Sequence, residues 1–231
     1  MMPLMRKLEV ACLLPDGEIT EFTRLVPAIP AFEDAAAAFS RNTLVSTGRG
    51  LMAVGDIWPS DMIRTATNGF QPLLWKGATM LVPEARGQDP VMGRLTRIAG
   101  DSFGIARPMP DLVLGPRARL THRAPGITAL TGANAALIPA RDFIDGINII
   151  ELTPATPVQV YHLAFAGHER VLAQGVEVES LHSGPAHLLG LRGEMLALYL
   201  SCFPHVSDLA DFGAPALPRL RLQDLDLFNV A

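Results

Sequence analysis

The chain has 231 residues, of which 49% are hydrophobic and 18% charged, with a formal net charge of −4. Such a composition supports one large domain, or one domain with small extensions, and excludes a disordered chain. The acidic balance, with no basic block longer than "PRLRLQ", argues against nucleic acid, and no apolar run approaches the ~18 residues of a membrane span.

The chain opens on "KLEVACLLPDGEITEFTRLV", two alternating apolar/polar runs joined by Pro15-Asp16-Gly17. That pattern predicts a β-hairpin. The short apolar patch after Arg6-Lys7 is interrupted by Glu9 and followed by no convincing cleavage site, so no signal peptide is read and a cytoplasmic location is expected. Next comes "PAIPAFEDAAAAFSR", a Pro-bounded linker with an Ala-rich stretch suited to one or two helical turns.

From residue 43 to about 181, short runs rich in Val, Ile, Leu and Thr alternate with turn signals such as Asn68-Gly69, Asp145-Gly146 and Ala166-Gly167. The 19 Pro and 20 Gly are scattered rather than clustered, which favours many short strands over long helices. After "HSGPAH" the spacing becomes helical, best in "RGEMLALYL", and the Pro-interrupted end reads as extended chain and a turn. The expected architecture is therefore mainly all-β. An N-terminal hairpin and short helical linker occupy 1–37, a compact β domain 38–184, and a C-terminal helix with an extended tail 185–231.

Cys12 and Cys202 lie in the apolar contexts "VACLL" and "YLSCF". They read as two buried free thiols, although the sequence leaves a single disulfide undecided.

Four segments carry a family resemblance. The first is "AAAAFSRNTLVSTGRG", where Phe39, Thr43, Leu44, Val45 and Thr47 stand on a Cys-Phe-x-x-Gly-Thr strand pattern. Ala38 occupies the Cys position and Asn42 the Gly position, as suits a turn that needs positive φ. The second segment is "VGDIWPSDMIRTATNGFQPLLWKG", with Val54, Asp56, Ile57, Pro59, Asp61, Ile63 and Thr65, then Gln71-Pro72 and Trp75. In the third, "RPMPDLVLGPRARL", Pro116 and Arg119 match a strand ending in hydroxyl residue, Pro, any residue, His and often Arg. Gly115 replaces that hydroxyl residue and Ala118 the His. The fourth, "VQVYHLAFAGHERVLAQGVEVESLHSG", supplies Tyr161, His162, His168, Gly175, Glu179, Ser180 and Gly184.

Together these segments resemble the Hint module of Hedgehog C-terminal domains and inteins, with the closer likeness to bacterial Hint-containing proteins. The resemblance implies a compact β fold and a self-processing ancestry without a cofactor. In such modules a Cys side chain attacks the preceding peptide carbonyl to give a thioester, assisted by a His and a hydroxyl. Here Ala38 has no lone pair, Ala118 no transferable proton and Gly115 no hydroxyl. Losing the nucleophile alone costs roughly a millionfold in a studied hydrolase. The Asn usual at an intein's downstream junction is also missing, since His182 is followed by Ser183.

The resemblance thus implies a catalytically degenerate member acting as a structural or interaction module, its partner another protein and its oligomeric state open. Positions 38, 115 and 118 are expected to converge, with Phe39, Thr43, His162 and His168 as neighbours. The first alternative is residual autoproteolysis near residue 38, with Ser40 or Thr43 supplying an O-acyl shift. Ser40 is displaced by ~6–7 Å along a strand, and Thr43 suits a turn-holding role. A second alternative is a metal site built from His162, His168, His182 and His187, although hairpin histidines bonded to backbone or to Glu169 are the simpler reading.

Other groups read as structural. Asp56 and Asp61 suit turn caps. Trp58 and Trp75 suit core or edge cover. Arg117, Arg119, His122 and Arg123 in "GPRARLTHR" suit a solvated edge strand protected by charge, or else a shallow anion patch.

Overall fold

In the computed structural model, which describes residues 4–228, the chain opens with β1 (Met5–Leu13) and β2 (Ile19–Pro27). They pair antiparallel from Met5↔Pro27 to Leu13↔Ile19, turning at the expected Pro-Asp-Gly. A five-residue helix, α1 (Pro30–Asp34), begins with Pro in its first turn and stops before the alanines. This corrects the placement of the helix in the Ala-rich run. Ala35 to Ala38 are all buried to within 1%, and Ala38 spends its N–H on the Tyr161 carbonyl at 2.9 Å. Helix propensity yields here to tertiary pairing.

The middle of the chain is a series of short strands: β3 (Phe39–Ser40), β4 (Leu44–Thr47), β5 (Gly50–Ala53), β6 (Met62–Arg64), β7 (Phe70–Pro72), β8 (Trp75–Leu81), β9 (Leu95–Ile98), β10 (Leu112–Leu114), β11 (Arg119–His122), β12 (Ala136–Pro139), β13 (Ile149–Leu152), β14 (Val158–Ala164), β15 (Arg170–Ala173) and β16 (Val176–Glu179). One antiparallel sheet runs β13-β9-β10-β3-β14-β8-β1-β2. The other runs β12-β11-β16-β15-β4-β6-β7, with β5 beside β4. The expected β-rich fold is what forms.

Between β11 and β12 lies a helix not foreseen from the sequence, α2 (Pro125–Thr131). Its signals were present, since Pro125 starts it and Gly132 ends it at φ 73. The C-terminal segment forms α3 (Ala186–Leu189) and α4 (Gly193–Leu200), then short 3-10 turns at Leu209–Phe212 and Leu222–Phe228.

Two main cores result. The larger gathers Phe39, Val45, Ile57, Ile63, Leu112, Tyr161 and Val178 from both sheets. The second is built by the two flanks against the end of β8: Leu8 and Val10 from β1, Phe32 from α1, Trp75, and Tyr199, Phe203 and Phe212 from the C-terminal segment. Trp75 donates its indole N–H to the Cys202 carbonyl at 2.7 Å and packs against Phe203. Both cysteines are buried and free, and burial pushes each thiol up to about 11.

Candidate functional site

The peptide bond between Ala37 and Ala38 lies at the entry to β3, deep in the molecule, with the two residues 0% and 1% exposed. Three backbone hydrogen bonds fix it. Ala38 N–H donates to Tyr161 O at 2.9 Å, Gly115 N–H to Ala38 O at 2.8 Å, and Arg117 N–H to Ala37 O at 2.9 Å. The third segment therefore lies directly against this bond, and Ala118, 1% exposed, shares the core cluster of Ala38. Gly115 thus bonds to residue 38, and Ala118 N–H bonds back to Gly115 O at 3.3 Å, so the surroundings of this bond are backbone and methyl groups.

Gly115 is the tightest point. A Cβ placed on it would stand 2.3 Å from Ala37 O and 2.8 Å from Ala37 C. Any side chain there would have to displace main chain. Phe39 is fully buried and pairs with Leu114 on one side and Tyr161 on the other. The Thr43 hydroxyl donates to Val113 O at 2.9 Å and meets Ser40 Oγ at 3.1 Å, so both hydroxyls are engaged in holding the turn to β10. Asn42 is not among the described residues with positive φ, which corrects the expectation of a left-handed turn there. The turn closes instead through Thr43 N–H to Ser40 O at 3.2 Å.

The histidines separate into two environments. His162, on β14 and 4% exposed, stands edge-on to Phe39 with ring centroids 6.0 Å apart. Its Nδ1 accepts from Leu163 N–H. Burial drives its pKa down to about 3, more than the Glu179 charge offsets, so the ring is neutral at physiological pH. His168 and His182 stack on each other at 4.6 Å. His168 Nδ1 accepts from Ala216 N–H, and its Nε2 lies 3.2 Å from Glu179 Oε1 without good hydrogen-bond alignment. His182 Nδ1 accepts from Gly184 N–H, which leaves Nε2–H to donate to Gly213 O. His187 lies in α3. Among the described residues, no three His, Cys, Asp or Glu side chains are placed to hold a metal ion. Glu169, expected beside these histidines, instead accepts from Asn68 Nδ2 at 2.8 Å.

Sequence reasoning missed the ionic groups around this centre. Glu179, 1% exposed, meets Arg219 at 2.8 Å and Arg119 at 3.2 Å. Burial would raise its carboxyl, but His168 and the two guanidinium groups reverse that and hold it far below the usual carboxylate range. Glu33, 2% exposed, binds Arg6 Nη2 through Oε1 and Arg117 Nη2 through Oε2, both at 2.9 Å. Asp34 lies 3.4 Å from both Arg117 and Arg119. This corrects the solvated-edge reading of "GPRARLTHR". β11 is an interior strand between β12 and β16, and Arg119 within it and Arg117 just before it reach buried carboxylates. Arg123 alone of the three is largely exposed, paired with Glu177 at 2.9 Å. Asp61 does cap a turn, accepting from Trp58 N–H at 2.8 Å.

Comparison with known proteins bears on this centre. A family model described as a Hint domain matches residues 37–185, more than half of the chain and opening on the constrained peptide bond. No curated protein matches. Among solved structures, the chain is similar to a splice-inactive, GSH-linked variant of the AceL NrdHF class 3 split intein at 12% identity. That match covers 63% of this chain and 97% of the other, with a TM-score of 0.42. Among the described residues, no helix is long and apolar enough to cross a membrane.

Proposed function

The chain belongs to the Hint domain family, and from that premise we propose that it has lost self-processing chemistry and acts as a structural or protein-interaction module. The observation that carries this reading is the Ala37–Ala38 bond itself. The carbonyl that a family nucleophile would attack is held by Arg117 N–H at 2.9 Å, in the manner of an oxyanion donor. A methyl group stands where the nucleophile belongs, and no hydroxyl fits at 115 without displacing the Ala37 carbonyl.

Proton transfer is equally unprovided for. The N–H of the nitrogen that would leave is tied to the Tyr161 carbonyl, which resists the twisting that would make that nitrogen basic. His162 is nearby in the fold, but its ring is neutral and its Nδ1 already accepts a hydrogen bond. What is retained of the ancestral centre positions the bond without the groups that break it.

We take 38–184 as the Hint module and 1–37 and 185–231 as its flanks, a division supported by the packing of Leu8, Val10 and Phe32 with Tyr199, Phe203 and Phe212 around Trp75. A cytoplasmic location fits two free cysteines. The competing reading is residual autoproteolysis near residue 38, favoured only by the polarised Ala37 carbonyl. Mass spectrometry under denaturing conditions separates the two. After incubation with dithiothreitol, a single species at 24.8 kDa is expected, for the natural chain and for Ala38→Cys alike. Fragments ending at residue 37 or 39 in the natural chain would overturn the reading.

A further inference from the structure

A pocket of about 480 Å³ opens on the face of the first sheet where β2, β1, β8 and β14 lie side by side. Its shape follows from register. Paired residues share a face, so Glu21, Ala11 and Lys76 form one row across three strands. Thr23, Glu9, Ala78 and Tyr161 form the next. Two alanines, each 6% exposed, are thus set among long side chains and become the floor of a depression. Trp58 and Arg41 border it from the loops above.

Most of the polar lining is already satisfied. Lys76 Nζ donates to Gly55 O at 2.9 Å and Ile57 O at 2.8 Å and lies 4.8 Å from the Tyr161 ring centroid. Glu9 accepts from Lys7 at 2.7 Å and from Gln159 at 2.9 Å. Tyr161 donates to Gln159 Oε1 at 2.6 Å. Arg41 differs. Its guanidinium stands 3.7 Å from Asp56 and beside the Tyr161 phenol, whose pKa is raised by burial against the lowering by the Arg41 charge, and its side chain is 60% exposed. The backbone is nonetheless shaped to seat it, because a Cβ on Gly55 would stand 2.7 Å from Arg41 Cγ. Gly55 N–H also bonds to Arg41 O at 2.9 Å.

We propose that this pocket binds a small monocarboxylate with a flat apolar body, the carboxylate on Arg41 and the body on the alanine floor beside Trp58. A guanidinium offers paired donors that match a carboxylate's two oxygens. The carboxylates of Glu9 and the exposed Glu21, both in the lining, repel a second negative charge, which selects against dicarboxylates. The volume lies within the range of small-ligand sites. The site borrows the Tyr161 side chain while the self-processing centre uses that residue's carbonyl, and it stands whether or not that centre is inactive.

The test is titration with benzoate, with benzamide and terephthalate as controls. Trp58 is 41% exposed and Trp75 fully buried, so tryptophan fluorescence reports on the pocket. Saturable quenching by benzoate, at least tenfold weaker with terephthalate and absent with benzamide, is expected. Arg41→Gln is expected to weaken benzoate at least tenfold while leaving the melting temperature within about a degree, its side chain being largely solvent-exposed. Calorimetry on Trp58→Phe gives a readout that does not need the fluorophore, and heat of benzoate binding is expected there too. No saturable response to benzoate, an equal response to benzamide, or unchanged affinity in Arg41→Gln would each overturn the proposal.

Discussion

A methyl group added at residue 115 is expected to destabilise the fold by an amount that the structure allows to be worked out. In Gly115→Ala the new Cβ would lie 2.3 Å from Ala37 O, more than 1 Å inside the ordinary contact distance, and 2.8 Å from Ala37 C. Both obstacles are main chain, so no rotamer change relieves them. Forcing extra volume into a packed interior costs about 1–3 kcal/mol. Separating the two segments also stretches the Gly115–Ala38 and Arg117–Ala37 hydrogen bonds, each worth about 0.5–1.5 kcal/mol. Replacing Gly by Ala returns about 0.4–1 kcal/mol by restricting the unfolded chain, which leaves a net loss of ~1–6 kcal/mol, centred near ~3. Denaturant unfolding followed by circular dichroism measures it, with Gly48→Ala as the control. A Cβ at Gly48 meets only Met62 Cβ, at 3.5 Å, and should be close to neutral. Equal midpoints for Gly115→Ala and the natural chain would refute the close-approach argument and reopen position 115 to a catalytic hydroxyl.

The remaining predictions concern charge. Burial lowers the His162 pKa from 6.5 to about 3, so between those values the unfolded chain takes up a proton that the folded chain refuses. Its stabilisation is present above pH 6.5 and is lost as pH falls toward 3, at up to about 1.4 kcal/mol per pH unit. His162→Gln should flatten the stability profile between pH 6.5 and 5, above the range where Glu179 begins to protonate in the unfolded chain. His205, lowered to about 4 by burial, and His122 and His182, also lowered by burial, contribute the same sign and the residual slope. An unaltered profile in His162→Gln would count against a buried neutral imidazole. Glu33→Gln leaves Arg6 and Arg117 facing a neutral amide in a buried site. A loss of about 3–5 kcal/mol is expected by thermal or chemical unfolding, and a loss below 1 kcal/mol would show the pair to be well hydrated.

Much of the fold was legible because it rests on local signals. The alternation in "KLEVACLL" and "ITEFTRLV" and the Pro-Asp-Gly turn specify the hairpin, and apolar spacing in "RGEMLALYL" specifies α4. The site at residue 38 was legible through family pattern, since its members are far apart in sequence and only order and spacing connect them. Arg117 and Arg119 were misread for a physical reason. Alternating charge on a short strand looks the same whether the partners are water or carboxylates, and here Glu33 lies 84 residues away and Glu179 60. The Ala-rich run was misplaced because intrinsic helix preference carries no information about the strand waiting at Tyr161. The second core was equally hidden. An apolar stripe on β1 and another on α4 give no sign in sequence that they face each other.

That second core has a bearing on how any break in this molecule would look. Residues from before position 38 and after position 184 interlock around Trp75, and the pairs Glu33–Arg117 and Arg219–Glu179 clamp the same two ends to the β domain. A nicked chain would therefore sediment, elute and crystallise as though whole, its pieces held by oil and charge long after the covalent link had gone.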